Sequence, residues 1–238
     1  MTVIKPIAND GWKSWFDSYD APSVGRGSSG TVLAIDEDLV IKTYVEDEEG
    51  QRDFDREKEI FEILQSGSCS PYIVRFFEEW ESGLVLERLR GTLRSHLREK
   101  LPPAEHDKTQ WIMDACKGLE FLHEKGIMHG DVGCHNFLVD YRGRVKLCDF
   151  AGSSRDGETA RICYEVRGQH PDYQIGEPTV ATEIFGLVSL LEHREVVASN
   201  LPFKGFHLLR DLYIACPLPP SNRSIRSQDV SKSKISHF

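Results

Sequence analysis

The residues best suited to chemistry lie between His129 and Phe150, HGDVGCHNFLVDYRGRVKLCDF. Two carboxylates and an amide stand there at set distances: Asp131, Asn136 five residues on, and Asp149 thirteen beyond that. Oxygen donors of this kind suit a hard cation such as Mg²⁺, which takes one or two carboxylates and completes its shell with water and substrate phosphates. For these residues alone, a surface hairpin with ordinary loop carboxylates explains the pattern equally well. A second candidate is Val24 to Val32, VGRGSSGTV, in which Gly25, Gly27 and Gly30 spell GxGxxG. Without side chains in the way, the backbone N–H groups of such a loop can face phosphate. A flexible Gly/Ser loop is the plain alternative. Lys42 and Glu57 complete the set as a cation and a carboxylate that could pair.

The elements around these residues decide how they meet. Phe137 to Val139 reads as a strand, Asp140 to Arg144 as a turn around Gly143, and Val145 to Cys148 as the returning strand. Closing that hairpin brings Asn136 beside Asp149, with Asp131 just upstream. After Gly30 come Thr31 to Ile35, an acidic turn, and Leu39 to Lys42, a β-rich run split in the middle. The glycines therefore join two antiparallel strands. A dinucleotide fingerprint would require a helix to start there, and none does. Lys42 ends the third strand, the acidic run Glu46 to Glu49 reads as a solvated connection, and a helix follows over Arg52 to Gln65. Its buried stripe is Ile60, Phe61, Ile63 and Leu64, and Glu57 lies on the same face, where a carboxylate wants a cation. Tyr72 to Trp80 and Gly83 to Leu89 read as two further strands. From Gly91 the pattern turns helical, with a short helix over Thr92 to Arg98 and a long one over Glu105 to Lys125, stopped by Gly126.

Composition bounds the remainder. The chain has 238 residues, 39% hydrophobic and 28% charged, which is ordinary for a soluble globular protein. A formal net charge of −9 argues against nucleic acid or an anionic membrane as the main partner. The first twenty residues lack an apolar signal core, and no run is long enough to span a bilayer. Six cysteines without a CxxC pair fit reduced thiols. The chain is therefore expected in the cytoplasm or nucleus. His123, Glu124 and His129 suggest zinc, but HEKGIMH puts Ile127 where HExxH needs histidine, so no structural zinc is expected.

With GRGSSGTV, Lys42, Glu57, HGD…N and DFAG in one order at compatible spacings, residues 24 to 191 resemble the protein kinase superfamily. They look closest to compact kinase-like proteins of fungi. The resemblance implies an α+β, two-lobe fold: a small five-stranded antiparallel N-lobe with one helix over residues 21–90, and a mainly helical, apparently truncated C-lobe over 91–220. Residues 1–20 would be a lead-in, and the Ser/Lys/Arg-rich 221–238 a disordered tail. It further implies that Val24, Gly25, Gly27 and Gly30 cover the ATP phosphates, while Lys42, paired with Glu57, holds two of them. Val32 and Val40 would press on the adenine from above and Leu138 from below. Leu86 would be the gatekeeper, and the backbone of Glu87 and Leu89 would bind the adenine edge. Asp131 would accept the proton of a substrate hydroxyl, and Asn136 and Asp149 would bind Mg²⁺.

The departures are specific. Gly130 replaces an arginine that pairs with a phosphorylated activation loop, which predicts activity without phosphorylation of Ser153, Ser154, Thr159 or Tyr164. Gly133 stands where Ser/Thr kinases carry a lysine that neutralises phosphate charge. Ala151 replaces the glycine of DFG, His170 to Asp172 looks like a variant of APE, and Glu183 looks like the acid that braces the catalytic loop. Two functions stay open: an ATP- and Mg²⁺-dependent kinase acting on a protein Ser/Thr hydroxyl, or an inactive, ATP-binding interaction module.

Overall fold

In the computed structural model the described residues are 13, 16, 21–67, 69–98, 104–155, 157–161 and 178–191. Most of the lead-in, Tyr164, His170 to Asp172, Cys163, Cys216 and the 221–238 tail lie outside them. The apolar alternation of the N-terminal half builds a five-stranded sheet from β1 (Ser23–Arg26), β2 (Gly30–Ala34), β3 (Leu39–Tyr44), β4 (Phe76–Trp80) and β5 (Gly83–Glu87). The sheet order is β1-β2-β3-β5-β4, antiparallel throughout. Period-two alternation sorts β3 onto two faces. Leu39 and Ile41 join Ile35 and Val85 in a cluster on which Phe16 packs. Val40 joins a second, larger cluster on the other face, with Val32 and Tyr44 packed against it, and Lys42 shares their alternation.

That second face is covered by α1 (Glu48–Gln65), which begins four residues earlier than the apolar stripe predicts. Asp47 accepts a 2.7 Å bond from Gly50 N–H, and Glu48 and Glu49 occupy the first turn. Read as a solvated connection, the acidic run is instead the helix start, where its charge meets the positive end of the helix dipole. Phe54, Glu57, Ile60, Phe61 and Leu64 are its buried residues. The strand expected from Tyr72 begins only at Phe76, because Tyr72 and Val74 bond to Leu147 instead of joining the sheet. The strand at Gly83 stops at Glu87, leaving 88–90 as a connection. Lys42 lies inside β3, two residues short of its end.

Beyond the sheet come β6 (Gly91–Thr92), α2 (Leu93–Leu97), α3 (Glu105–Glu124), β7 (Ile127–Met128), β8 (Phe137–Val139), β9 (Val145–Leu147), β10 (Ser154–Arg155) and α4 (Val180–Leu191). Among the described residues three helices are thus accompanied by the expected β8–β9 hairpin and by three short strands, β6, β7 and β10, that the helical pattern does not announce. Together the strands form a three-stranded sheet, β6-β8-β9, and a two-stranded one, β7 with β10. The fold is α+β, and the larger cluster runs unbroken from Val40 and Phe61 to Leu122 and Leu187. Among the described residues no helix is long and apolar enough to cross a membrane.

Candidate functional site

The β8–β9 hairpin places the acidic residues. Asp140 Oδ1 accepts from the N–H groups of Arg142 and Arg144, both at 2.8 Å, and Gly143 takes a left-handed φ of 77° in the turn. Helix α3 grips that turn: Trp111 Nε1 donates to Gly143 O at 2.8 Å, and the buried Asp114 accepts from Arg144 Nε at 2.7 Å. At the open end, Cys148 N–H donates to Asn136 O at 2.9 Å. Asn136 and Asp149 are therefore neighbours, as the spacing predicts. Asn136 Nδ2 donates to Asp131 O at 2.8 Å and to Asp131 Oδ2 at 3.0 Å. Both amide hydrogens are thereby used, and the amide oxygen remains as the group able to ligate.

Lys42, from the sheet, reaches the same place. Its Nζ donates to Glu57 Oε2 at 2.6 Å and to Asp149 Oδ1 at 2.7 Å. Burial alone would push the ammonium down, but the charges of Asp149 and Glu57 outweigh it and hold the Lys42 pKa above its ordinary value. Burial pushes the Asp149 carboxyl up, and Lys42 outweighs it, so the net direction is down. Glu57, fully buried, also accepts from the Tyr44 hydroxyl at 2.7 Å and from Phe150 N–H at 3.1 Å. Asp149 holds a left-handed φ of 66°, a conformation costing on the order of 1–3 kcal/mol for a residue other than glycine. Such strain is kept where the surroundings over-determine it.

The structure joins Lys42, Glu57 and Asp149 by hydrogen bonds, joins Asp131 to Asn136, and places Val32, Val40, Leu86, Leu89 and Leu138 in one apolar cluster. Gly25 and Gly27 lie on the β1–β2 hairpin with room for a Cβ, whereas a Cβ on Gly30 would lie 1.9 Å from Thr43 O. Gly30 is therefore required by the sheet itself. Val24 is exposed, Val40 is buried, and Val32 and Leu138 are half-buried. Leu86 is buried opposite Val40 in the register, and Glu87 and Leu89 follow at the edge. The Glu87 side chain is engaged by Lys146 at 2.6 Å and by Arg75 N–H at 2.7 Å, which leaves only its backbone for a ligand. Sequence reasoning gave no role to Tyr44 or His135, and took Phe150 only as part of DFAG. Gly133, two residues before His135, and the alternation of Tyr44 with Lys42 are the signals that point to them.

Glu183, in the first turn of α4, accepts from Gly130 N–H at 2.7 Å and bonds His123 Nε2 at 2.6 Å. His129 Nε2 donates to Cys148 O at 2.9 Å, and its Nδ1 accepts from Asp131 N–H at 3.3 Å, so one neutral tautomer serves both bonds. His123 and His129 are thus engaged in bracing the loop.

The residues fit a nucleotide and a hard cation on three local grounds. Ser29 Oγ, in the glycine loop, is buried without a hydrogen-bond partner among the described residues. Arg88 and Arg90 N–H bond to Asp38 O and Val139 O, and the Leu89 N–H between them has no such bond among the described residues. Both are groups that a bound molecule could satisfy. Among the described residues no cluster of three or more His, Cys, Asp and Glu could hold a metal alone, and the Asn136 and Asp149 pair suits a cation that arrives with phosphate.

An antiparallel sheet covered by one helix, a buried lysine bridging two carboxylates, and an Asp–Asn loop at a hairpin define the two-lobed class of α+β phosphotransferases. A sequence model of the protein kinase domain matches residues 20–173. The chain belongs to the protein kinase family. It is 31% identical over 155 residues to the mitogen-activated protein kinase kinase kinase ANP1 of Arabidopsis thaliana, covering 58% of this chain and 23% of that protein. It is 27% identical over 201 residues to NUAK family SNF1-like kinase 2 of Rattus norvegicus, covering 79% and 30%. The RasGEF domain-containing serine/threonine-protein kinase X of Dictyostelium discoideum shares 32% over 161 residues, covering 63% and 16%. The chain thus spans less than a third of the length of each of these curated relatives.

Proposed function

We propose that this kinase domain is catalytic, using ATP and Mg²⁺ to phosphorylate a Ser/Thr hydroxyl on a protein substrate in the cytoplasm or nucleus. The observation that carries the reading is Lys42, held at once by Glu57 of α1 and by Asp149 after β9. A cation fixed between two elements presents a constant charge to phosphate, and phosphoryl transfer is catalysed mostly by positioning and charge neutralisation. Residues 21–90 and 91–220 are its two lobes, and the nucleotide lies between Val32, Val40 and Leu138, under Val24, Gly25, Gly27 and Gly30. Leu86 limits its depth, and Glu87 O and Leu89 N–H meet its edge. Asn136 and Asp149 hold Mg²⁺. When bound, Mg·ATP supplies the phosphoryl group: the substrate oxygen–phosphorus bond forms as the bond to the β-phosphate oxygen breaks, ADP leaves, and the hydroxyl proton passes to Asp131.

A second reading, an ATP-binding interaction module without transfer, is favoured by one feature: Gly133 supplies no cation beside Asp131. The experiment is Mg·ATP binding by thermal shift alongside phosphate transfer to a generic protein substrate. Wild type is expected to do both, and Asp131→Asn to bind while losing about 10²–10⁴-fold in transfer. Lys42→Met and Asp149→Ala are expected to lose binding. Wild-type binding with no Asp131-dependent transfer would select the interaction module. Undiminished binding by Lys42→Met or Asp149→Ala would remove the site assignment.

A further inference from the structure

Gly133 leaves room that another side chain takes. A Cβ built on Gly133 would lie 2.6 Å from Cε1 and 2.7 Å from Nδ1 of His135, so the imidazole covers the ground any side chain at 133 would need. From there His135 Nε2 is 2.9 Å from Asp131 Oδ2, and Nδ1 is 3.0 Å from Arg94 Nη2. A guanidinium only donates, so Nδ1 of the neutral ring accepts and the ring proton sits on Nε2, aimed at Asp131. Oδ2 then has two donors, His135 and Asn136 Nδ2, while Oδ1 has none among the described residues. Arg94 is held close to the loop, since its backbone N–H donates to Cys134 O at 3.0 Å.

We propose that His135, oriented by Arg94, is a positioning residue for Asp131, and that position 133 is glycine because the imidazole needs its space. The inference rests on the kinase reading above. Fixing Oδ2 with two donors leaves Oδ1 as the oxygen that receives the substrate proton. The chain Arg94 to His135 to Asp131 also brings a positive charge toward the loop from α2, where the family pattern would place it at 133. The relay acts on geometry and charge alone.

Two measurements on the full chain test it. In the ligand-free protein, two-bond ¹H–¹⁵N correlation of the histidine rings is expected to show His135 as the Nε2-protonated tautomer. Arg94→Met, which keeps the stem and removes the donors, is expected to mix the tautomers. In steady-state assays His135→Ala is expected to lower kcat about 10²-fold, the scale of a mispositioned catalytic group, with KM for Mg·ATP within about threefold of wild type. His135→Gln, which keeps an N–H at the same reach, is expected to restore most of the loss, and Gly133→Ala to lower kcat by displacing the ring. An Nδ1-protonated ring in wild type, an unchanged tautomer in Arg94→Met, an unchanged kcat in His135→Ala, or equal losses for Ala and Gln would each overturn the relay. With wild-type transfer intact, those results leave the kinase reading standing. A wild-type chain that binds Mg·ATP and transfers nothing overturns that reading and the positioning role with it.

Discussion

At the scale of single residues, the glycine loop separates chemistry from architecture. Gly25, Gly27 and Gly30 are equivalent in sequence, yet a Cβ on Gly27 meets nothing within 4 Å and one on Gly30 would strike Thr43 O at 1.9 Å. We expect Gly30→Ala to destabilise the fold by about 1–3 kcal/mol, the range for forced overpacking. Gly27→Ala should leave the melting temperature of the free protein unchanged and reduce its rise on adding Mg·ATP. Thermal melts with and without nucleotide test the pair, and equal losses of stability would remove the distinction. The motif was legible from the sequence, but the division of labour was not, because the carbonyl that demands Gly30 belongs to the neighbouring strand. The same limit applies to His135. Its Asp131 partner is four residues away, but the Arg94 that fixes its tautomer is 41 residues away on α2.

At the scale of elements, α1 is the piece whose position decides whether Lys42 has Glu57. Its apolar stripe and its inward Glu57 could be read from spacing alone. What holds its outer face could not, because, apart from Glu79 of β4, which pairs with Lys58, those partners come from the segment after Asp149. Arg155 bonds Glu59 at 2.8 Å, Arg161 bonds Asp53 at 2.5 Å and Glu49 at 3.1 Å, and Glu158 bonds Arg56 at 2.7 Å. Arg161 N–H also turns back to Gly152 O at 3.0 Å. Each exposed pair contributes only about 0–1 kcal/mol, but together they tie the segment to the helix without any phosphate. Ser153 and Ser154 are buried, and the Ser153 hydroxyl donates to His129 O at 3.1 Å, so neither is presented for modification. On the catalytic reading proposed above, phosphatase-treated protein should therefore retain phosphate transfer. Arg161→Glu, which sets a carboxylate against Asp53 and Glu49, should lower activity about fivefold, the equivalent of ~1 kcal/mol, and raised salt should narrow the gap to wild type. A strict requirement for phosphate on the segment, or a silent Arg161→Glu, would dismiss the brace.

For the molecule as a whole, one chain of contacts joins the sheet to the loop that carries His129 and Asp131. Phe61 of α1 stacks on Phe76 of β4 at 5.6 Å and meets Phe150 edge-on at 5.1 Å, and Phe150 lies 5.5 Å from the His129 ring. The order of the main elements, the five-stranded sheet with its helix, the long helix and the β8–β9 hairpin, was readable in advance. This aromatic line was not, since its members are scattered over ninety residues and read locally only as apolar. The charges follow the same route: Lys42 and Tyr44 of β3 both bond Glu57, and Lys42 also bonds Asp149. This arrangement makes stability depend on pH at the alkaline end. The two carboxylates hold the Lys42 pKa above its ordinary value against the effect of burial, and burial, then Glu57, pushes the Tyr44 phenol well up. In the unfolded chain both groups lose their protons near pH 10, whereas in the fold both keep them. Their contribution is therefore complete below about pH 10 and is lost as pH rises above it. Melting temperature should be flat from about pH 7 to 9 and fall beyond about pH 10. Tyr44→Phe removes one of the two groups, so it should melt lower than wild type at neutral pH, where the hydroxyl bond to Glu57 is missing, yet lose less on going alkaline. The measurement is a set of melts of the two proteins across that range. Parallel alkaline slopes would mean that the buried cluster does not set the limit, and a shallower slope in the variant that it does.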